Sequence, residues 1–294
     1  MRLRAPAKIN WSLEVLGRRP DGYHEVRTVL QTIDLCDVVT LEEARALELA
    51  LVGEAGALAT EEPRMNLAWR AAERLLQRTG ASRGARIVIE KRIPIAGGLG
   101  GGSSDAAATL RGANLLWGLR QPLDALLEIA STVGSDVPFF LLGGAALASG
   151  RGEVLRPLGD GPECELLVAW PAAPGPPDKT ARLYAALRPE MYTDGAATAE
   201  VARLVGAGER PPDDAIVNVF EAALDETLPE TRRFMNELAR AGLRPHLCGA
   251  GPSVFFSLAG VDAAEVRRAV EREGWRCAAV RTLGVSAATA IVEA

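Results

Sequence analysis

The densest chemical signal in the chain is Pro94-Ile95-Ala96-Gly97-Gly98-Leu99-Gly100-Gly101-Gly102-Ser103-Ser104-Asp105, which runs on into Ala106-Ala107-Ala108. Glycine lets a backbone take positive φ and approach a ligand with no Cβ in the way. Before the run, Ile87, Ile89, Ile93 and Ile95 give the β-branched period of a strand over 85–95. Pro94 falls near the strand's end, where a missing ladder donor is tolerated. After it, the Ala- and Leu-rich stretch 106–119 predicts a helix, with Ser103 or Ser104 as its N-cap. Strand, glycine turn and helix N-terminus make an anion cradle, because the first helical amides lack internal acceptors and the helix dipole favours negative charge. A triphosphate suits such a cradle. The Walker pattern would need a Gly-Lys-Ser/Thr ending, and Gly102 is followed directly by Ser103. The dinucleotide pattern Gly-x-Gly-x-x-Gly would need glycine where Ser103 stands.

Other stretches carry groups that phosphate chemistry uses. In 5–17, Ile9, Trp11, Leu13 and Val15 alternate with Lys8, Asn10, Ser12 and Glu14, which predicts a half-buried strand with Lys8 and Asn10 on one polar face. Pro20-Asp21-Gly22 is a turn, and Tyr23-His24 follows it at the mouth of a strand over 26–33. That pair either covers a sheet edge or clamps a heterocycle, the phenol ring by stacking and the imidazole by reading a polar edge. Asp136 leads the apolar segment Val137-Pro138-Phe139-Phe140-Leu141. It is either a helix cap or a partly desolvated carboxylate beside an attacking hydroxyl. Asn66 heads a helix with Leu67, Ala71, Leu75 and Leu76 on one face, a position typical of a cap.

The remaining elements must hold these groups together. Strands are expected over 37–42, 47–52 and 165–169, a loop over 53–63, and a helix over 123–133 closed by Gly134. A strand and turn occupy 143–153, and 171–177 holds four prolines, the clearest linker-like stretch and close to the domain junction. A helix begins around Thr180 and Tyr184, another ends at Gly242, an amphipathic helix covers 262–273, and the last strands fall in 277–292.

Together these motifs resemble those of the GHMP kinases. The resemblance runs through Ala7-Lys8-Ile9-Asn10, Asp21-Gly22-Tyr23-His24, Asn66-Leu67 with Ala71-Ala72, the 94–108 run, Gly134 to Phe140, and Gly249-Ala250-Gly251 with Ser253-Val254-Phe255, so it covers nearly the whole chain. It is similar in particular to the branch that uses ATP to phosphorylate the C2 hydroxyl of 4-diphosphocytidyl-2-C-methyl-D-erythritol in the non-mevalonate (MEP) isoprenoid pathway. The fold so implied is α+β, a two-domain GHMP kinase fold. A ribosomal protein S5 domain 2-like N-terminal domain would cover 1–158, a ferredoxin-like C-terminal domain 159–294, and the site would lie in the cleft between them.

The same resemblance implies Lys8 and Asp136 as catalytic residues. It implies ATP binding by Asn66, Pro94, Gly97, Gly98, Leu99, Gly100, Gly101, Gly102, Ser103, Ser104 and Asp105. Substrate binding falls to Asn10, Tyr23, His24, Asp136, Thr180, Tyr184, Gly249, Ala250 and Gly251, with the cytosine between Tyr23, His24 and Tyr184. Mg²⁺ would be held mainly by the ATP phosphates, with Ser103 or Ser104 as the chain's own ligand. Three positions depart from the family pattern: the arginine of Arg18-Arg19 is offset before Pro20, Lys179 replaces a serine, and Leu247-Cys248 replaces Met-Ser. Two rivals are a sister kinase for homoserine or mevalonate, to which Tyr23-His24 gives no support, and a non-catalytic nucleotide sensor, against which Lys8 and Asp136 speak.

Composition narrows the remaining classes. A net charge of −5 over 294 residues leaves no basic footprint for nucleic acid or for a membrane surface. Cys36, Cys164, Cys248 and Cys277 have no Cys-x-x-Cys spacing, and with only two histidines neither a disulfide framework nor a zinc site is expected. No apolar signal core and no run of eighteen apolar residues occurs. The expectation is a cytoplasmic enzyme, monomeric or weakly dimeric, whose partner is a small molecule.

Overall fold

Two long strands that pair along most of their length set the frame. The computed structural model describes residues 1–53, 62–173, 175–176 and 178–293. The chain opens with β1 (Arg2–Arg18), β2 (His24–Ala44) and β3 (Leu47–Val52), then α1 (Leu67–Thr79), β4 (Gly84–Glu90), α2 (Gly101–Leu116), α3 (Leu123–Val133) and α4 (Val137–Leu142). It continues through β5 (Ala145–Ser149), β6 (Val154–Gly159), β7 (Glu165–Pro171), α5 (Lys179–Ala186), α6 (Ala196–Gly206), β8 (Val217–Asn218), α7 (Leu224–Thr227) and α8 (Pro229–Arg240). The last elements are β9 (His246–Leu247), β10 (Val254–Ser257), α9 (Ala263–Arg272), β11 (Trp275–Arg281), α10 (Val285–Ala288) and β12 (Ile291–Glu293).

The first sheet has the order β12-β1-β2-β4-β3, with β5 and β6 continuing from β2 and the short β8 lying parallel to β1. The second, wholly antiparallel, runs β11-β7-β10-β9. One core lies between the first sheet and α1 to α4, and another between the second sheet and the helices of the later half. A third joins the sheets, with Ile9 and Trp11 of β1 against Val168 of β7 and Phe255 of β10; the Trp11 and Phe255 rings meet edge to face at 5.7 Å. β1 feeds all three cores in turn: Leu3 and Ala5, then Ala7 to Trp11, then Leu13 and Val15.

Several expectations change in the folded chain. The polar face of β1 is buried as well as the apolar one: Lys8, Asn10, Ser12 and Glu14 are all occluded, because both sheets and α6 close over the strand. The strands expected over 26–33 and 37–42 are one strand, β2, with its register against β1 shifted between Pro6 and Ala7. β4 stops at Glu90 rather than 95, because the amides of Arg92 and Ile93 leave the ladder to bond the Asp37 carboxylate, at 2.5 and 2.8 Å. The helix after the glycines starts at Gly101, capped by Gly100 with φ +74°, so Ser103 and Ser104 lie inside its first turn. The proline stretch follows β7, already in the second sheet, rather than separating the sheets. The loop expected over 53–63 lies mostly outside the described residues, as do two positions of the proline stretch, 174 and 177.

Candidate active site

β1 supplies the first two groups from the middle of its length. Lys8 and Asn10 share a face, and Lys8 Nζ donates to Asn10 Oδ1 at 2.7 Å. Asn10 Nδ2 donates to Thr28 Oγ1 at 2.8 Å, and Thr28 Oγ1 donates to the Ser12 carbonyl at 2.5 Å. This chain of bonds fixes the lysine's direction. The Lys8 amide donates to the Leu99 carbonyl at 3.0 Å, which ties the glycine turn to the same strand.

The turn itself is interlocked with the loop between β9 and β10. Ser253 N donates to Gly97 O at 3.1 Å, and a Cβ on Gly98, whose φ is +82°, would lie 2.1 Å from the Cys248 carbonyl oxygen. No other residue fits at Gly98. Gly249 presses as closely on the lysine, since a Cβ there would stand 2.7 Å from Lys8 Nζ. Beyond the turn, the amides of Gly101, Gly102 and Ser103 have no carbonyl one helical turn back, whereas Ser104 N already bonds Gly100 O. Those three donors are the cradle.

Lys8, Asn10, Gly98, Gly100 and Gly249 line a cavity of about 890 Å³, and Gly101, Gly102 and Ser103 lie outside its lining. At one end stand Lys8, Asn10, Gly98, Gly100 and Asp136, with Gly249 and Ala250 beside them. At the other stand Tyr23, His24, Thr180, Tyr184, Tyr192 and Phe220. The His24 and Tyr184 rings are stacked at 4.8 Å, and Phe220 meets Tyr184 edge to face at 4.9 Å. Tyr23 is 56% exposed, with the Arg151 guanidinium 4.8 Å from its ring centre. Asp136 sits at the cap position of α4 yet makes no capping hydrogen bond, so its carboxylate is left for the cavity.

The electrostatics of the cavity follow from burial. Burial lowers the Lys8 ammonium below the ordinary lysine range, and the nearby Asp136 and Cys248 only partly oppose it. Burial, and then the charge of Lys8, bring Lys179 down to about 8. Burial raises the Tyr184 phenol to about 12, helped by Asp136. His24 is lowered, by burial and then by Arg18.

The other expected residues lie elsewhere. Leu99 is buried between the sheets and offers only its carbonyl. Asp105 turns into the protein, where Lys91 Nζ reaches it at 2.7 Å, so its side chain holds a lysine rather than a phosphate. Asn66 caps α1 by accepting from Ala68 N at 2.9 Å. Its neighbour Leu67 lies 3.8 Å from where a Cβ on Gly102 would be, so the start of α1 borders the cradle. Pro94 and Gly97 face a second cavity, of about 760 Å³, on the far side of the turn. Gly251 packs against Leu247.

Among the described residues no three His, Cys, Asp or Glu side chains converge on a metal position. Magnesium favours oxygen ligands, and phosphate oxygens together with a serine hydroxyl would suit it. Ser104 Oγ is occluded and has no hydrogen-bond partner, while Ser103 is partly open, so Ser103 fits that role better. Sequence reasoning missed Lys179, Arg151, Tyr192 and Phe220 as cavity residues. In the sequence Lys179 stands out only as a departure from a motif; Arg151 falls in the strand and turn over 143–153, Phe220 falls in Val217-Asn218-Val219-Phe220-Glu221, which resembles a family motif, and no local signal marks Tyr192.

The model of the GHMP kinases N terminal domain matches residues 66–144. A 4-diphosphocytidyl-2-C-methyl-D-erythritol kinase of Dehalococcoides mccartyi is 37% identical over 284 residues, 96% of this chain and 98% of that one. One from Bacillus pumilus is 41% identical over 257 residues, 86% of each chain. A crystal structure of 4-(cytidine 5'-diphospho)-2C-methyl-D-erythritol kinase superposes with a TM-score of 0.78 at 36% identity, covering 97% of this chain and all of the other. A homoserine kinase from Cytophaga hutchinsonii, at 18% identity and a TM-score of 0.72, shares the fold. The two-sheet α+β architecture is that of the two-domain GHMP fold. Identity above one third across nearly the full length, joined to that architecture, places the chain in the GHMP kinases, and within them in the 4-diphosphocytidyl-2-C-methyl-D-erythritol kinase family.

Proposed function

We propose that this chain uses ATP to phosphorylate the C2 hydroxyl of 4-diphosphocytidyl-2-C-methyl-D-erythritol, a step of the non-mevalonate route to isoprenoid precursors. One observation carries the reading of the site: a buried lysine, an uncapped aspartate and the glycine turn meet at one end of a cavity whose other end is walled by aromatic rings. A base at the ring end and a hydroxyl at the lysine end are the two ends of such an acceptor.

The acceptor hydroxyl is tertiary and crowded, so alignment and charge stabilisation must supply most of the rate. Asp136 accepts or orients the hydroxyl proton. Lys8, aimed by Asn10, stabilises the charge that grows on the moving phosphoryl oxygens. The amides of Gly101, Gly102 and Ser103 hold the phosphates of the donor, and Tyr23, His24 and Tyr184 hold the cytosine. Mg²⁺, when bound through those phosphates and the Ser103 hydroxyl, neutralises part of their charge. The chain leaves the first sheet where β6 ends at Gly159 and enters the second at Glu165, so we place the domain division between 159 and 165 rather than at 158/159, with β8 and β12 returning to the first sheet. No helix among the described residues is long and apolar enough to cross a membrane, and we place the enzyme in the cytoplasm.

The test is ADP release with the cytidyl acceptor, homoserine and mevalonate side by side. Turnover is expected with the cytidyl acceptor alone, and Asp136→Ala should cut kcat by about 10³-fold or more while the protein stays folded. Comparable turnover with homoserine or mevalonate would reject the substrate. Near-normal kcat in Asp136→Ala would remove that residue from the chemistry.

A further inference from the structure

Lys179 opens α5 and is only 6% exposed, yet it lines the same cavity as Lys8. No carboxylate pairs with it among the described residues, and the charged group that acts on it is Lys8, a second cation. Gly175 leaves room for its stem, because a Cβ there would come within 3.3 Å of Lys179 Cδ and 3.0 Å of the Pro252 ring. The fold thus holds two ammonium groups in one cavity that Asp136, which acts on Lys8, lines as its one carboxylate among the described residues. Such an arrangement opposes folding unless an anion arrives to satisfy it.

The position along the cavity defines the anion. α5 carries Tyr184 to the stacked His24 at the ring end, while its first residue feels Lys8 at the reacting end. A ligand stretched between a base and a reacting hydroxyl has its phosphates between the two, where α5 begins. A compact ammonium on a flexible stem suits a phosphate oxygen as a point charge.

We propose that Lys179 binds a phosphate oxygen in the reacting complex, as a second cation beside Lys8. This rests on the reading of the cavity as a phosphoryl-transfer site. The oxygen belongs either to the diphosphate of the acceptor or to the phosphoryl group in transfer, and both present the same oxyanion. Thr180 and Tyr184 remain on the same helix with their own contacts, so neutralising Lys179 removes a charge without removing the wall.

Two neutral replacements of different volume, Lys179→Met and Lys179→Ser, test this, so that poor packing of one does not end the experiment. Steady-state ADP release with the cytidyl acceptor is measured alongside calorimetric binding of cytidine and of CDP, with an unfolding midpoint for each variant. The expected result is a loss of about 10- to 100-fold in kcat/KM, the scale of one charged hydrogen bond, with the midpoint unchanged or raised. A loss confined to acceptor KM and to CDP, with cytidine unaffected, assigns the diphosphate of the acceptor. A loss in kcat with CDP binding intact assigns the group in transfer. Activity and CDP binding within about two-fold of the parent protein in both variants would overturn the inference, and so would equal losses for cytidine and CDP. A parent protein that releases no ADP with the cytidyl acceptor sinks the substrate reading instead, and the CDP-against-cytidine comparison still judges Lys179.

Discussion

Two regions of the molecule bury lysine in opposite ways. Beneath the glycine turn, Lys91 is 9% exposed and lies between two carboxylates, with Asp105 at 2.7 Å and Asp37 in direct contact. Asp37 also accepts from the Arg92 and Ile93 amides, so the cluster staples the end of β4 to β2 and to the first turn of α2. Burial alone would lower Lys91, but Asp105 and Asp37 outweigh it and hold the ammonium above its ordinary range. Burial, resisted by Lys91, lifts Asp105 to about 7. In the cavity, Lys8 and Lys179 are as deeply buried and both are pushed down, because burial outweighs Asp136 at Lys8 and is reinforced by Lys8 at Lys179. Matched charge marks a structural joint, and unmatched charge of one sign marks a place kept for a ligand of the other.

Breaking each side should therefore give opposite results. The largest effect is expected from Lys8→Met: a fall of about 10³-fold in kcat, ~4 kcal/mol, with an unfolding midpoint unchanged or higher, read from ADP release and a urea melt on the same sample. A variant that stays active, or that unfolds early, would place Lys8 with Lys91 rather than apart from it. Next, Lys91→Met should cost ~3–5 kcal/mol in urea unfolding, since it leaves two carboxylates buried without their cation. A loss under ~1 kcal/mol there would deny the joint. The smallest effect is in pH. Lys179 has a folded value of about 8 against an ordinary 10.5, so between these the unfolded chain carries the extra proton. Stability should then rise with pH across that window, by up to ~3 kcal/mol, while kcat/KM falls through about pH 8 as the phosphate loses its cation. Lys8, Asp136 and Tyr184 share the cavity, so the quantity to measure is the difference between the parent protein and Lys179→Met, which should lack both slopes. Identical profiles would refute the assignment.

Much of the site was written locally. The glycine run announces a tight turn because glycine readily supplies φ of +82° and +74° at Gly98 and Gly100 while the Cys248 carbonyl presses on the first and the Phe140 ring on the second. Lys8 and Asn10, two apart on a strand, must share a face, and Tyr23-His24 after a tight turn must stand at a hairpin's end. β4 ends early because Asp37, 55 and 56 residues away from its amide partners, captures backbone that β-branched periodicity would have kept in the ladder, and α2 begins early because Gly100, at φ +74°, caps it ahead of the serines.

What the sequence alone determined, then, was the strand, glycine turn and helix start over 85–116, the shared face of Lys8 and Asn10, and the turn before Tyr23-His24, all consequences of short-range backbone geometry. What only the tertiary structure decided was the fate of each charge. Lys91 and Lys179 are alike as letters, one just past a strand and one at the start of a helix. Asp37, 54 residues before it, reaches Lys91, and Lys8, from the first strand, reaches Lys179. Burial and neighbouring charge set an ammonium's energy, and both depend on which distant segments close over it.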